Sequence, residues 1–300
     1  MEIQVSDCTI FADGLDHPEG LAFHKDGSLW AGGEAGQIYQ IDQAGKVTLF
    51  AETGGFNLGL AFHPFYDWLA ICDLKNKCVW KLDIETKNLS VFTKGAPGAS
   101  FSIPNYPVFD NQGNLYVSES GAFRQINGTI QKFNKEGEGI IWHNGPFNFA
   151  NGMALSPKGD ALFVVCSFLP GIEKIEIQSD GNPGIRSVFA TLPQTVPDGL
   201  AFDEDGNLLV SCYTPNAIYK ISPQQEVILL INDWEAHTLT NPTNIAFGGE
   251  GRAYLFATNL GRWHITKIPY KKLISNEYGK HQLNRLTSKA ALKAIFEKAR

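Results

Sequence analysis

Glu19, Asn105, Asn151 and Asp198 are the residue types that bind hard cations, and they share one phase of an internal repeat. Each stands immediately before a copy of a short phrase: Gly20-Leu-Ala-Phe23, Tyr106-Pro-Val-Phe109, Gly152-Met-Ala-Leu155 and Gly199-Leu-Ala-Phe202. Two further copies, Gly59-Leu-Ala-Phe62 and Asn244-Ile-Ala-Phe247, are preceded by Leu58 and Thr243. A single Asn or Asp before Gly is a common turn former that hydrogen-bonds its own backbone. Four oxygen-bearing side chains at one phase of a six-fold repeat go beyond turn chemistry. If they converge, Glu19 and Asp198 repel each other in a partly desolvated space, and a bound cation resolves the conflict. Carboxylate and amide oxygens without His or Cys favour Ca2+, with Mg2+, Mn2+ and Zn2+ as alternatives. Ca2+ takes about 6–8 oxygen ligands, so four protein oxygens leave positions for water or a substrate oxygen. Asn57 and Asn244 lie one residue out of phase and read as turn or supporting residues.

The elements that position these residues follow from the same repeat. The phrase ends are 39, 47, 46, 47 and 45 residues apart. Most copies are followed by a tight turn such as Lys25-Asp-Gly27 or Glu204-Asp-Gly206, and then by an apolar strand such as Ser28-Leu-Trp-Ala31 or Asn207-Leu-Leu-Val210. A third, alternating strand comes next, as in Gln37–Asp42, and a fourth, as in Val47-Thr-Leu-Phe50. Four short strands per roughly 45 residues are the mark of a propeller blade. The expected fold is therefore an all-β, six-bladed β-propeller over residues 1–270. The sixth copy lacks a fourth strand, whereas Cys8-Thr-Ile-Phe-Ala12 copies Val47-Thr-Leu-Phe-Ala51, so the N-terminal strand is expected to close the ring. Inner strands line a propeller axis, which places the six ring positions at one mouth of the channel. Residues 271–300 hold eight Lys or Arg against two Asp or Glu, and Leu292, Ile295, Phe296 and Ala299 form a helix-like stripe. A short basic helical tail is expected there.

Bulk properties exclude several function classes. The 300 residues are 43% hydrophobic and 19% charged, with net charge −6, which gives no reason to expect nucleic-acid binding. No stretch approaches the roughly 20 apolar residues of a membrane span, and no secretory signal is visible at the N-terminus. Cys8, Cys72, Cys78, Cys166 and Cys212 match neither a disulfide framework nor a zinc spacing. They read as buried strand residues of a cytoplasmic protein. The expected partner is a small molecule, and the expected state a monomer or weak homo-oligomer.

His17-Pro-Glu-Gly-Leu-Ala-Phe23, Asn151–Leu155, Pro197-Asp-Gly-Leu-Ala-Phe202 and Pro242-Thr-Asn-Ile-Ala-Phe247 resemble the gluconolactonase, senescence-marker-protein and luciferin-regenerating-enzyme family. The resemblance runs over residues 8–270. It implies a six-bladed propeller whose divalent metal assists hydrolysis of lactones or related esters. It implies Glu19, Asn151 and Asp198 as metal ligands, Asn105 as a residue that reaches the metal or orients substrate, and Asp198 as general base or nucleophile. Sugar lactonases of the family often carry Asn-Asp where this chain has Asn105-Tyr106, and some place Arg where it has Ile103. The neighbourhood here is more apolar, so Ile103, Tyr106, Phe149 and Phe168 are candidate contacts for a substrate less polar than a sugar lactone.

Other carboxylates follow second strands. Glu34, Asp73 and Glu119 overlook the same mouth, Glu119 being a candidate substrate contact, and as a group they read mainly as solvated loop residues. Rival readings are a phosphotriester-type hydrolase on the same metal, a non-catalytic calcium-binding propeller, and a strictosidine synthase-like propeller without this metal set. His17, His24, His63, His143 and His264 share no spacing that would support a histidine dyad.

Overall fold

The computed structural model describes residues 3–271. The tail helix expected beyond Lys271 lies outside the described residues. Among them, six four-stranded antiparallel sheets run in strand order from the inside outwards. The inner strands are Leu21–Phe23, Asn57–Phe62, Pro104–Phe109, Ala150–Leu155, Val196–Phe202 and Pro242–Gly248. Each carries one copy of the repeated phrase. The sixth sheet takes its outermost strand from the N-terminus: Thr9–Ala12 pairs antiparallel with His264–Ile268, so the ring closes as expected. A two-residue-by-two-residue hairpin, Gly95–Ala96 with Ala99–Ser100, interrupts the passage from blade two to blade three. Gln131 of blade three pins this hairpin, accepting from Ala96 N at 2.7 Å and donating to Ala99 O at 3.0 Å.

The repeated Phe has a definite job. In blade one, Trp30 of the second strand packs on Phe50 of the fourth (centroids 4.6 Å apart) and on Phe62 of the next blade's inner strand (5.7 Å). Trp68 meets Phe92 and Phe109, and Phe163 meets Phe189 and Phe202, in the same way. Phe256 completes the series with Phe11 at 4.9 Å and Phe23 at 5.1 Å. Phe11, in the N-terminal strand, thus fills the place that Phe50 fills in blade one. All of these but the tilted Trp68–Phe92 are edge-to-face, and such aromatic pairs add about 0.5–1.5 kcal/mol beyond their burial. Six apolar clusters result, one between each pair of neighbouring blades. All five cysteines are buried and unpaired. No helix among the described residues is long and apolar enough to cross a membrane.

Candidate functional site

The ring residues owe their direction to breaks in the strand ladders. Register shifts interrupt inner-strand pairing between Asn57 and Leu60, Pro104 and Tyr106, Ala150 and Met153, Pro197 and Leu200, and Pro242 and Ile245. Leu58, Asn105, Asn151, Asp198 and Thr243 each fall inside one of these bulges. Glu19 precedes the first paired residue of its strand, Leu21. A bulge frees a residue from the period-2 alternation and re-aims its side chain, here towards the axis.

Hydroxyl groups then fix the ring from behind. Ser120 Oγ donates to Ala150 O at 2.7 Å, Ser167 Oγ to Pro197 O at 2.8 Å, and Ser211 Oγ to Thr243 O at 2.8 Å. The backbone carbonyl of Glu19 accepts from both Thr243 and Thr258 at 2.8 Å. Each bond joins one blade to the next. A serine that has given its only proton to a carbonyl can only accept from a neighbouring amide. Asn105 Nδ2 accordingly donates to Ser120 Oγ at 3.1 Å, and Asn151 Nδ2 to Ser167 Oγ at 3.2 Å. The amide orientation follows, and each Oδ1 is turned away from its serine.

Glu19, Asn105, Asn151 and Asp198 share a cavity of about 570 Å3 with Ile103, Phe149 and Phe168. Burial pushes the Glu19 carboxyl up to about 7, with a hydrogen bond from Thr243 opposing the rise and the charge of Glu34 adding to it. Asp198 is raised well above the usual carboxylate range by burial and then by the charge of Glu19, while Asn151 hydrogen-bonds it and offsets part of the rise. Two half-buried carboxylates, one raised by the charge of the other, form a site short of positive charge. Two carboxylates, two amide oxygens turned away from their serines and no His or Cys fit a hard divalent cation. Among the described residues no group of three or more His, Cys, Asp or Glu could hold a metal, so the amides are needed to complete a ligand set.

The chain matches the description "SMP-30/Gluconolactonase/LRE-like region" over residues 18–261. It belongs to that family. A gluconolactonase of Zymomonas mobilis is 26% identical over 211 residues, which is 64% of this chain and 57% of that protein. The chain therefore spans little more than half the length of that curated relative. A diisopropyl-fluorophosphatase of Loligo vulgaris is 24% identical over 258 residues, covering 74% of this chain and 81% of the relative. The solved structure of a calcium-binding protein, regucalcin, from Agrobacterium tumefaciens superposes with a TM-score of 0.76 at 16% identity, covering 90% of this chain and 95% of the other. The family assignment and the six-bladed ring agree with the expectation drawn from the repeat.

Two residues expected at the site lie elsewhere. Tyr106 follows the bulge at Asn105 and falls on the opposite side of its strand, where it lines a second cavity of about 540 Å3 with Leu60, Met153, Leu200 and Ile245. Burial, then the charges of Cys72 and Asp198, push its phenol well up. Glu119 is not a solvated loop carboxylate and does not line the mouth. It is buried and accepts hydrogen bonds from Ser102 N at 3.0 Å, Ile103 N at 2.9 Å and Gly121 N at 3.0 Å, so it holds the Ile103 backbone in place. Asp73 is likewise buried, accepting from Phe56 N, Asn76 and Trp80 Nε1. Glu34 remains half-exposed, with its Oε2 3.0 Å from His17 Nδ1. Asn57 and Asn244 serve the frame: Asn57 Nδ2 donates to Gln37 O at 3.0 Å, and Asn244 Oδ1 accepts from Ile245 N.

Sequence reasoning missed the supporting hydroxyls and part of the cavity wall, including Phe56, Leu74, Phe123 and Tyr213. The hydroxyls had a signal. Ser120 and Ser167 directly follow a second strand, Thr258 is the penultimate residue of one and Ser211 lies inside one, so each of blades three to six supplies a hydroxyl from its second strand or the residue after it.

Proposed function

We propose that this chain is a divalent-metal-dependent hydrolase that opens a lactone or related ester. The observation that carries the reading is that Glu19 and Asp198 line one cavity, both raised by burial, with the charge of Glu19 raising Asp198 further. A pure scaffold has no use for that arrangement, which stays destabilising until a cation or protons neutralise it. Family membership and the gluconolactonase relative support the reaction class. Glu19, Asn105, Asn151 and Asp198 would hold the ion, with Ca2+ favoured by the all-oxygen donor set. When bound, the ion supplies Lewis-acid polarisation of a carbonyl oxygen.

The chain's own residues supply the rest. Asp198, ionised beside the ion, is the carboxylate that would take a proton from an attacking water. The water oxygen bonds to the carbonyl carbon, the ring C–O bond breaks, and the proton passes to the departing alkoxide. Asp198 acting directly as nucleophile reaches the same products after hydrolysis of an acyl-enzyme. Asn105 and Asn151, fixed through Ser120 and Ser167, keep the reacting atoms in one geometry. The apolar walls limit competing water. Five buried, unpaired cysteines support a reducing, cytoplasmic setting.

Hydrolysis of a panel of γ- and δ-lactones, measured with added Ca2+ and with chelator, tests the proposal. Ion-dependent ring opening is expected. Turnover indifferent to chelator would remove the metal dependence, and no turnover beside an unchanged melting temperature would favour a non-catalytic propeller. Phosphotriester hydrolysis is the second reading, supported by the match to the squid fluorophosphatase over 81% of that protein. A fluorophosphonate substrate in the same panel separates the two.

A further inference from the structure

We propose that the substrate carries an apolar substituent, an alkyl chain or aryl group, and that this substituent lies against blades three and four. The inference rests on the hydrolase reading and specifies what that site accepts. A sugar lactone presents hydroxyls on most of its ring atoms, and each one buried without a partner costs affinity. The cavity offers few partners. Its carboxylates are Glu19 and Asp198, which together with Asn105 and Asn151 are committed to the ion. Ser167, on the blade-four side, already accepts from Asn151 and donates to Pro197 O. The remaining hydroxyls, of Tyr213 and Thr214, are on the blade-five side.

What faces blades three and four is aromatic. Phe149 and Phe168 lie 4.7 Å apart between centroids, and Phe123 meets them at 6.1 and 5.3 Å. Phe149 adopts φ 62°, a conformation a bulky side chain rarely takes. It is held there by Ser167 N donating to Phe149 O at 3.2 Å and Phe168 N donating to Asn148 O at 3.4 Å. Backbone strain maintained at the wall of a cavity indicates that the ring position matters. Ile103 adds an aliphatic face, fixed from behind by Glu119. The apolar surface also continues outwards, because Phe123 is 62% exposed and Leu169, next to Phe168, 61% exposed. A chain too long for the cavity would still lie on carbon.

The test is a series of γ-lactones with alkyl chains of increasing length, run beside gluconolactone and an aryl ester in the presence of Ca2+. The expected result is a kcat/KM that rises about threefold to fourfold for each methylene buried, until the chain leaves the cavity. Gluconolactone is expected to lag behind the longer members. Phe168→Ser and Phe123→Ser are expected to flatten the chain-length dependence, so that the ratio of long-chain to short-chain rates falls roughly tenfold. A flat series with gluconolactone preferred overturns the substrate class while leaving metal-dependent hydrolysis intact. Absence of turnover on every lactone and ester removes the hydrolase reading and this inference with it.

Discussion

Gly152 lies so close to Asp198 of the next blade that a Cβ at Gly152 would overlap the Asp198 carbonyl oxygen and sit 2.8 Å from Gly199 Cα. The same relation recurs around the axis: Gly20 against Leu58, Gly59 against Asn105, and Gly199 against Thr243. The glycine of the repeated phrase is thus a spacer of zero size, letting neighbouring inner strands meet backbone to backbone around the axis. Gly152→Ala keeps every ring side chain yet displaces the Asp198 backbone. We expect a stability loss of about 1–3 kcal/mol from overpacking and at least roughly tenfold weaker Ca2+ binding, as for other losses of ligand support. Denaturant melts and calorimetric titration with Ca2+ measure the two effects.

Removing one member of the carboxylate pair separates catalysis from folding. Asp198→Asn keeps size and relieves the repulsion with Glu19, so the ion-free protein is expected to melt no lower than the parent. Lactone turnover is expected to fall by roughly a hundredfold or more, the scale on which a general base acts. Full activity in Asp198→Asn with ion still bound would rule out its assigned role.

Ser167 bridges Asn151 and the Pro197 carbonyl, so Ser167→Ala leaves a buried carbonyl and a buried amide each short of a partner. The expected cost is about 1–3 kcal/mol in stability. The freed amide can also turn its nitrogen to the axis, so Ca2+ affinity is expected to drop roughly 10–100-fold. Ser167→Thr retains the hydroxyl and is expected to recover most of the affinity. Ion titration of the two variants distinguishes lost support from general damage.

Much of this arrangement was legible in the sequence because the blade is a local unit. The strand order, the closing strand at Cys8–Ala12 and the convergence of Glu19, Asn105, Asn151 and Asp198 all follow from one repeat read at one phase. Where the reading failed, the cause was a bulge or a loop. Tyr106 was placed at the mouth because it adjoins Asn105, but neighbours along a strand face opposite ways, and the bulge turns Asn105 alone. Glu119 looked solvated because it ends a strand, and only the path of residues 102–103 supplies the backbone donors that bury it. Phe123 comes from an eight-residue connection, 120–127, whose course no periodicity constrains.

The carboxylate pair also ties stability to pH and ion together. Raised folded-state pKa values mean that the ion-free folded chain holds protons the unfolded chain would release. The corresponding stability is present below about 4.5, the ordinary Glu range, and is lost as pH rises through about 7, the folded value for Glu19, with Asp198 acting in the same direction. A divalent cation favours the ionised pair and reverses the loss. His63 and His143, lowered by burial, contribute with the opposite sign near neutrality. Neither lines the cavity that holds the pair, so their contribution is expected to be the same with and without ion. The informative quantity is therefore the difference in Tm between Ca2+-loaded and chelated protein. It is expected to be small at pH 5 and to grow through pH 7, reaching about 5 °C at a hundredfold excess over Kd. In Glu19→Gln the growth with pH is expected to shrink sharply. A difference already full at pH 5, or unchanged by Glu19→Gln, would show that the ion binds somewhere other than between Glu19 and Asp198.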